Sequence, residues 1–294
     1  MDKSQAPADL LSRTKKLLRS YDLRARKGLG QHFLIDAAVL EAIVAAADLN
    51  SADTLIEVGP GLGILTAELA RRAGWVIAIE LDNRLAEVLE KTLPGDNIVV
   101  LNEDVLGTDP AVILRGRAPG FPPGLRSYKV VANLPYYITS PVLRHFLEAA
   151  VKPEMMVVMV QKEVAEAILA GPGKRSLLSI AVQFYGKPGL VTEVPASSFY
   201  PAPAVDSAVI RIDVYPAPPV PVTDVDGFFR LVRAGFAAAR KQVANSLSQG
   251  LKLPKAEAMG LLAAAGIEPQ RRAETFTLEE WAALWRAWSG EKGN

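Results

Sequence analysis

A glycine-rich loop between a buried strand and a helix is the feature that most constrains this chain. The segment Thr54–Val58 is short, apolar and rich in β-branched residues, and it stops at the loop Gly59–Gly63, of sequence GPGLG. The apolar positions of the following segment, Ile64–Arg72, have helical spacing. Glycine lets the backbone turn tightly and lets a ligand approach closer than a Cβ atom would permit. The loop therefore predicts a ligand site where the strand meets the helix.

Strands and helices continue to alternate after this loop. Alternation of this kind implies parallel strand pairing, and hence an α/β, Rossmann-like, doubly wound sheet covered on both faces. The alternation over Val205–Val214 predicts a late strand, with an antiparallel hairpin as its expected pairing. The other predicted buried strands are 75–79, 97–101, 129–132 and 155–160, and the other predicted helices are 83–91 and 161–170.

A proline-rich segment divides the chain. Tyr215–Pro221 has four prolines in seven residues, so it is neither a helix nor a central strand, and its stiffness suits a domain linker. Beyond it every apolar run has helical spacing, which predicts a small helical domain over 222–294. The expected organisation is a basic N-terminal segment over 1–27, a ligand-binding domain over 28–214 and this C-terminal helical domain.

Two basic blocks flank a mildly acidic middle, although the whole chain is close to neutral. The chain has 33 Lys and Arg against 32 Asp and Glu, a net charge of +1. Residues 10–31 contain seven basic side chains and one acid, a net charge of +6, and residues 227–256 contain six basic side chains and no acid, also +6. Residues 51–219 contain fifteen basic and eighteen acidic side chains, a net charge of −3. This distribution is expected when a catalytic body lies between surfaces for a polyanion. A solvated surface that binds nothing is the alternative for either block.

Composition excludes several classes of site and of protein. The chain contains no cysteine, which excludes disulfide scaffolds, thiolate metal sites and cysteine nucleophiles. His145 has no candidate metal partner and is assigned a structural role, and no metal site is predicted. No apolar run approaches the roughly 20 residues of a membrane span, and the first residues are unlike a secretory signal. We therefore expect a cytoplasmic protein without membrane contact and, in the absence of a heptad pattern, a monomer.

An acid follows each of the next two predicted strands. Glu80 comes 21 residues after Gly59, where a carboxylate accepts hydrogen bonds from the two ribose hydroxyls of an adenosine group. Asp104 is placed to accept from an adenine amine, with a helix N-cap as the alternative interpretation. The glycines are spaced G-x-G-x-G, whereas dinucleotide sites use G-x-G-x-x-G. A cationic sulfonium also tolerates a nearby acid such as Glu57, so the set favours S-adenosylmethionine over a nicotinamide cofactor.

The turn Asn133–Tyr136, of sequence NLPY, directly follows the strand predicted over 129–132. The amine of adenine is a poor nucleophile, because its lone pair is delocalised into the ring. A site for it must accept the amine protons and hold the nitrogen in line with its electrophile. The Asn133 side-chain carbonyl and the Leu134 backbone carbonyl can accept, Pro135 stiffens the loop, and Tyr136 offers a flat face to an extruded base. The turn therefore predicts methyl transfer to adenine N6, with an ordinary Asn-Pro-type turn as the alternative.

With these residues in view, the chain resembles the small-subunit (16S) ribosomal RNA adenine dimethyltransferases, the kasugamycin-sensitivity methyltransferase family. The resemblance extends from about Gly28 to Trp285. It implies the fold of class I S-adenosylmethionine-dependent methyltransferases and a role in small-subunit ribosome biogenesis. The implied reaction is double methylation of N6 on each of two adjacent adenosines in a hairpin loop near the 3′ end of 16S rRNA. The stretches that carry the resemblance are Gly30–Asp36, Ile56–Gly63, Ile79–Asp82, Asn133–Tyr136, Gln161–Val164, Pro201–Ala208 and Arg271–Glu280.

The resemblance also implies individual site residues. It adds Phe199 to the catalytic turn, as a second aromatic side chain against the target base. The family usually has Asn at the position of His32, Tyr-Gly in place of Ser176-Leu177, and Arg-Arg-Lys where this chain has Ala239-Arg240-Lys241. The implied cofactor contacts, together with the glycine loop, are His32, Leu34, Gly59, Gly61, Glu80, Asp104 and Asn133.

Three other functions stay open at this point. A large-subunit (23S) rRNA adenine dimethyltransferase of the macrolide-resistance type shares the chemistry, but the stretches Pro201–Ala208 and Arg271–Glu280 favour the small-subunit enzyme. A non-catalytic ribosome assembly factor could keep the fold and the pocket, although the intact Asn133, Pro135 and Tyr136 argue against lost catalysis. A nicotinamide-dependent oxidoreductase would bind NADH and would not bind S-adenosylmethionine.

Overall fold

Two compact units make up the chain. The computed structural model describes residues 9–26, 30–115, 127–238 and 240–290. Residues 1–165 and 188–214 form the first unit, here called the sheet unit. Residues 166–187 and 215–294 form the second, here called the helical unit. Lys27, Gly28 and Ala239, which entered the sequence interpretation, lie outside the described residues.

Nine strands and the first seven helices are defined as follows. The strands are β1 (Phe33–Leu34), β2 (Thr54–Val58), β3 (Trp75–Ile79), β4 (Ile98–Leu101), β5 (Lys129–Asn133), β6 (Met155–Gln161), β7 (Gly186–Val194), β8 (Phe199–Tyr200) and β9 (Ser207–Val214). The helices are α1 (Leu10–Ser20), α2 (Ala37–Ala46), α3 (Ile64–Ala70), α4 (Asn83–Thr92), α5 (Pro110–Leu114), α6 (Thr139–Leu147) and α7 (Lys162–Leu169).

A seven-stranded sheet has the order β4-β3-β2-β5-β6-β9-β7. Strands β2 to β6 pair in parallel, and β9 runs antiparallel to β6, as the alternation over 205–214 predicts. From β2 the chain moves outward to β3 and β4, then returns to the other side of β2 with β5. In open α/β sheets, ligands bind beyond the carboxyl ends of the strands at such a reversal. The topology therefore directs attention to the ends of β2 and β5.

The sheet is buried on both faces, as expected. Successive strand residues point to opposite faces. Leu55, Val131 and Val157 lie in a core cluster that includes residues of α2 and α3. Their neighbours of opposite parity, Ile56 and Val130, are equally inaccessible to solvent. Burial on both sides explains why these strands are continuously apolar in sequence.

Several elements were not predicted from the sequence. The basic N-terminal segment contains α1, whose N-cap Asp9 accepts from the backbone N–H of Leu11 and which buries Thr14 and Leu18. Helix α2, the edge strand β7 and the two-stranded sheet of β1 with β8 were also missed. A strand of two residues such as β1 has no period to read, because it exists only through pairing across the chain.

The helical unit contains α8 (Leu177–Tyr185), α9 (Val225–Phe236), α10 (Val243–Leu251), α11 (Lys255–Ala264) and α12 (Leu278–Ser289). The rings of Phe184 on α8 and Phe228 on α9 stack with centroids 5.0 Å apart. A Cβ atom on Gly235 would lie 2.3 Å from the Trp281 ring, so only glycine allows α9 and α12 to approach so closely. Helix α8 therefore belongs to this core, which differs from the predicted boundary that assigned residues up to 214 to the ligand-binding domain.

The proline-rich segment Tyr215–Pro221 contains neither helix nor strand, as predicted. Among the described residues, no helix has the length and apolar composition that a membrane crossing requires. His145 is placed as a structural residue, since its Nε2 donates to the Thr108 carbonyl oxygen at 3.0 Å.

Candidate active site

A cavity lies beyond the carboxyl ends of the central parallel strands, where the chain reverses direction across the sheet. It is built from the glycine loop after β2, the acids after β3 and β4, the turn after β5, and the segment around β1. The predicted site residues that line it are His32, Leu34, Gly59, Gly61, Glu80, Asp104, Asn133, Leu134, Pro135 and Tyr136.

The glycine loop is held in a conformation that requires glycine at three positions. Gly59, Gly61 and Gly63 have φ values of +66°, +60° and +73°, in the left-handed region that side chains disfavour. A Cβ atom on Gly59 would lie 3.4 Å from the Pro135 ring, and one on Gly61 would lie 3.3 Å from the Phe33 ring. The loop therefore contacts both the turn after β5 and strand β1.

Glu80 is a buried carboxylate that fixes the glycine loop. Its Oε2 accepts from the backbone N–H of Gly61 at 3.1 Å, and its Oε1 accepts from the backbone N–H of Asp82 at 2.9 Å. The residue is 6% exposed, and burial raises its pKa, while the two backbone hydrogen bonds oppose that rise. An ionised carboxylate has about four acceptor sites, so both oxygens can still accept from a ligand.

Asp104 is the N-cap of a short turn and also lines the cavity. Its Oδ1 accepts from the backbone N–H of Leu106 at 3.0 Å, which caps the 3-10 turn Val105–Gly107. The residue is exposed and lines the cavity. Since the cap uses Oδ1, Oδ2 can accept a hydrogen bond from a ligand.

Glu57 is a further acid in the cavity wall, at the end of β2. It is 1% exposed, and burial raises its pKa to about 8, with the Thr66 hydroxyl lowering it in part and the charge of Glu80 raising it further. Neither Glu57 Oε2 nor Thr66 Oγ1 has a well-directed hydrogen-bond partner in the described part of the chain. Near neutral pH this carboxyl is therefore largely uncharged, and the cavity carries less negative charge than its sequence suggests.

The turn Asn133–Tyr136 is held by hydrogen bonds to three other segments of the sheet unit. Asn133 Nδ2 donates to the His32 carbonyl oxygen at 3.2 Å, which leaves the amide oxygen Oδ1 as an acceptor. The backbone N–H of Leu134 donates to the carbonyl oxygen of Met159 at 3.1 Å. The Tyr136 hydroxyl lies 2.6 Å from Ser207 Oγ, so the ring is held at both ends. The turn thus presents acceptors and an aromatic face from a rigid backbone.

His32 contributes a ring where the resembled family usually has an amide. Its Nδ1 lies 2.7 Å from the carbonyl oxygen of Pro201, so this nitrogen carries the hydrogen and donates. The imidazole stacks with Tyr136, with centroids 5.9 Å apart and planes at 22°. The N–H of a neutral imidazole is therefore already used within the protein, and the ring supports Tyr136.

The comparisons with known proteins agree with this geometry. The sequence profile described as "Ribosomal RNA adenine dimethylase" matches residues 22–284. The chain belongs to this family. Ribosomal RNA small subunit methyltransferase A of Dehalococcoides mccartyi strain 195 is 52% identical over 276 residues, 94% of this chain and 92% of its own. The protein of the same name from Moorella thermoacetica is 46% identical over 93% of this chain and 96% of its own length.

Solved structures of related proteins show the fold of this rRNA adenine dimethylase family member. The crystal structure of the 23S rRNA methyltransferase ErmE has a TM-score of 0.67 at 28% identity and covers 87% of this chain and 99% of that one. The structure of a dimethyladenosine transferase from Plasmodium falciparum has a TM-score of 0.71 at 26% identity and covers 86% and 96%. The sheet unit therefore has the Rossmann-like fold of class I methyltransferases that the sequence predicts.

Phe199 does not lie at the cavity. This residue pairs with Leu34 in the β1–β8 ladder, is buried in the core cluster beside α2, and is not among the residues that line the cavity. A large apolar side chain in a two-stranded ladder gains more from the core than from a solvated rim. The expected contact between Phe199 and the target base has no support in this geometry.

The stretch Arg271–Glu280 is used inside the helical unit of the dimethylase. The Arg271 guanidinium makes a bidentate ion pair with Glu280, whose other contact closes a capping box with Thr277 at the start of α12. Arg271 also lies 4.8 Å from the centroid of the Phe276 ring. This part of the resemblance therefore reflects the stability of the helical unit.

Three large apolar side chains at the cavity were missed from the sequence. Leu81, Leu106 and Tyr137 all line the cavity and all remain exposed. Leu81 and Tyr137 directly follow the predicted site residues Glu80 and Tyr136. Leu106 comes two residues after the predicted site residue Asp104. The available signal was therefore an apolar residue in a loop at the end of a buried strand, where solvent exposure is unfavourable without a ligand.

Proposed function

We propose that the chain transfers methyl groups from S-adenosylmethionine to N6 of two adjacent adenosines in a hairpin loop near the 3′ end of 16S rRNA. Each adenosine receives two methyl groups during small-subunit ribosome biogenesis, and the chain acts as a monomer in the cytoplasm. The observation that carries the proposal is that the turn Asn133–Tyr136 and the glycine loop line one cavity, with the Pro135 ring 3.4 Å from where a Cβ atom on Gly59 would lie. High identity to proteins named small subunit methyltransferase A supports the choice of RNA.

The acidic end of the cavity fits S-adenosylmethionine. Glu80 offers its remaining lone pairs to the two ribose hydroxyls, and Asp104 offers Oδ2 to the amine of the cofactor's adenine. The wall beside them is apolar at Leu81 and Leu106, which suits the faces of a purine. When bound, this cofactor supplies an electrophilic methyl carbon on a positively charged sulfur, and the neighbouring carboxylates favour that charge.

Asn133 and Leu134 hold the target amine in the proposed mechanism. Asn133 Oδ1 and the Leu134 carbonyl oxygen accept the two N–H groups, which favours a tetrahedral nitrogen with its lone pair free to attack. After one transfer a single N–H remains and one acceptor suffices, so a second transfer can follow. No general base is needed, because alkylation makes the nitrogen cationic and the proton then leaves readily.

Tyr136 holds the extruded adenine in line with the methyl group. Its hydroxyl is bonded to Ser207, and its ring is stacked with His32, so the ring cannot rotate away. A rigid aromatic face binds a flipped base by stacking and compensates part of the cost of unstacking it from the RNA.

Exposed basic side chains position the RNA by its phosphates. On α1 the residues Arg13, Lys16 and Arg19 are exposed, and in the helical unit Arg233 and Lys255 are exposed. Phosphate contacts of this kind supply affinity without reading sequence, and they make binding strongly dependent on salt. Selection of the two adenosines then depends on the cavity and on the shape of the hairpin loop.

Mass spectrometry of rRNA tests the proposal. Small subunits that lack these methyl groups are incubated with the protein and S-adenosylmethionine, and we expect two dimethylated adenosines near the 3′ end of 16S rRNA. Large-subunit RNA under the same conditions stays unmodified, which distinguishes the macrolide-resistance type of activity. No modification of either RNA, or binding of NADH in place of S-adenosylmethionine, would show that the proposal is wrong.

A further inference from the structure

Tyr137 is an aromatic side chain that the proposed mechanism does not use. It is 54% exposed, the largest value among the large apolar side chains of the described residues, yet it lines the cavity. Its neighbour Tyr136 has its hydroxyl bonded to Ser207, whereas Tyr137 has its ring largely in solvent. An aromatic ring exposed at the mouth of a cavity is typical of a ligand contact.

The ring of Tyr137 lies against the backbone of Gly30. A Cβ atom on Gly30 would lie 3.5 Å from Tyr137 Cδ1, and Gly30 has a φ of +60°. The ring therefore lies near the segment that leads into β1. Since Tyr137 is about half exposed and lines the cavity, part of its ring remains accessible to a ligand.

Tyr137 lines the same cavity as the two acids Glu80 and Asp104. Burial of the hydroxyl raises the pKa of Tyr137, and the charges of Asp104 and then Glu80 raise it further. Charges act on a phenol in this way when they share a partly enclosed site with it. These are the two acids that the proposed function assigns to the nucleoside of the cofactor.

We propose that Tyr137 binds the adenosine part of the cofactor, with its ring covering the nucleoside that Glu80 and Asp104 hold by its edges. The inference rests on the proposed function, since the nucleoside is that of S-adenosylmethionine. Tyr137 and Tyr136 are adjacent in sequence but serve different ligands, one the cofactor and the other the target base. Their division follows from the 3-10 turn Tyr136–Ile138, in which successive side chains point in different directions.

Calorimetric titration of the isolated protein with cofactor, without RNA, tests this assignment. For Tyr137→Ala we expect the Kd of S-adenosylmethionine and of S-adenosylhomocysteine to rise by the same factor, about 3- to 10-fold, since both carry adenosine. Tyr137→Phe retains the ring and changes either Kd by less than about 3-fold, and Tyr137→Leu gives an intermediate value. In steady-state assays the KM for cofactor rises in parallel, while the KM for RNA stays constant.

Leu190→Ala provides the matched control. Leu190 is 53% exposed on β7 and does not line the cavity, so its truncation removes a comparable exposed apolar side chain and leaves both Kd values unchanged. Melting temperatures of both variants show whether the fold is kept, and Tyr137→Phe and Tyr137→Leu decide the question if Tyr137→Ala is unfolded.

Unchanged cofactor affinity in Tyr137→Ala overturns the inference, and a raised KM for RNA in that case would assign Tyr137 to a nucleotide of the substrate. Failure of the proposed function has a different signature. If the parent chain binds S-adenosylmethionine with the expected loss in Tyr137→Ala, yet methylates no 16S rRNA, the role of Tyr137 stands and the substrate assignment fails.

Discussion

The two ends of the cavity use opposite chemistry. At one end Glu80 and Asp104 present carboxylates, of which Glu80 accepts from the backbone N–H groups of Gly61 and Asp82 and Asp104 from that of Leu106. At the other end Asn133 and Leu134 present neutral carbonyl oxygens beside the stacked rings of His32 and Tyr136. Both ends lie at the carboxyl ends of parallel strands, so the difference comes from the loops and not from the sheet.

The comparison indicates that charged acceptors lie where the cofactor must be bound tightly, and neutral acceptors lie where the amine must be oriented. Carboxylates make hydrogen bonds of about 1.5–3 kcal/mol to hydroxyl and amine donors, which suits retention of a cofactor. A carboxylate at the amine site would attract metal ions and cationic groups as well as adenine. Neutral carbonyls held by a rigid turn orient the amine without such competition.

The largest expected effect is at the neutral end. In Asn133→Ala one of the two acceptors for the amine is lost, and we expect the rate of methyl transfer to fall by about 100-fold or more. Cofactor affinity, measured by titration, changes by less than about 10-fold because Glu80 and Asp104 remain. Asn133→Asp keeps Oδ1 but loses the donor to the His32 carbonyl oxygen, so its rate lies between those of the parent and of Asn133→Ala. If Asn133→Ala transferred methyl groups at a rate near that of the parent, Asn133 would not have the role assigned to it.

The acidic end is expected to show the reverse pattern. In Glu80→Gln the side-chain NH2 group replaces one acceptor oxygen, so it faces the backbone N–H of Gly61 or Asp82, which is also a donor. The negative charge available to the ribose hydroxyls is lost as well. We expect the Kd for cofactor to rise about 30-fold, with a kcat at saturating cofactor close to that of the parent. Glu87→Gln, an exposed acid on α4, is the control and leaves the Kd unchanged. Equal losses in Kd and kcat would mean that the two ends do not act separately.

The buried acid Glu57 makes stability depend on pH. Because its pKa is raised from 4.5 to about 8 in the folded protein, the folded state binds more protons than the unfolded state between these values. Its contribution to stability is fully present below pH 4.5 and is lost as pH rises through 8. In Glu57→Gln we expect the melting temperature, relative to the parent, to increase by about 6–12 °C between pH 5 and pH 8.5, since the pKa difference corresponds to about 4 kcal/mol over this range. A difference that stays constant with pH would show that Glu57 is ionised throughout.

The smallest effect is expected at the hydroxyl of Tyr136. Tyr136→Phe keeps the aromatic face and loses one hydrogen bond, so kcat falls by about 3-fold or less. Ser207→Ala removes the other partner of the same bond and has a similar effect, and the double variant is no worse than either single one. In Tyr136→Ala, which also removes the stacking face, we expect kcat to fall much further. Additive losses in the double variant would show that the two hydroxyl groups act independently.

The order of elements and most of the site were predictable because they depend on local patterns. Continuous apolar runs in parallel strands, glycines with positive φ and acids after strand ends all leave signals within a few residues. The edge strand β7, the pairing of β1 with β8 and the grouping of α8 with the C-terminal helices depend on contacts between distant segments. Phe199 illustrates the limit, since its local sequence does not reveal whether its ring faces the core or the cavity.

The sequence by itself determined a doubly wound α/β fold, and it predicted a nucleoside-type ligand at the glycine loop and an amine-accepting turn at Asn133, because short-range spacing encodes strands, tight turns and their polar ends. Only the tertiary structure decided that the glycine loop and the turn at Pro135 line one cavity, that Glu57 is buried and largely uncharged, and that Tyr137 lines the cavity whereas Phe199 lies in the core. The physical reason is that burial and long-range contact are properties of the folded chain, and these decide the charge of an acid and the exposure of a ring.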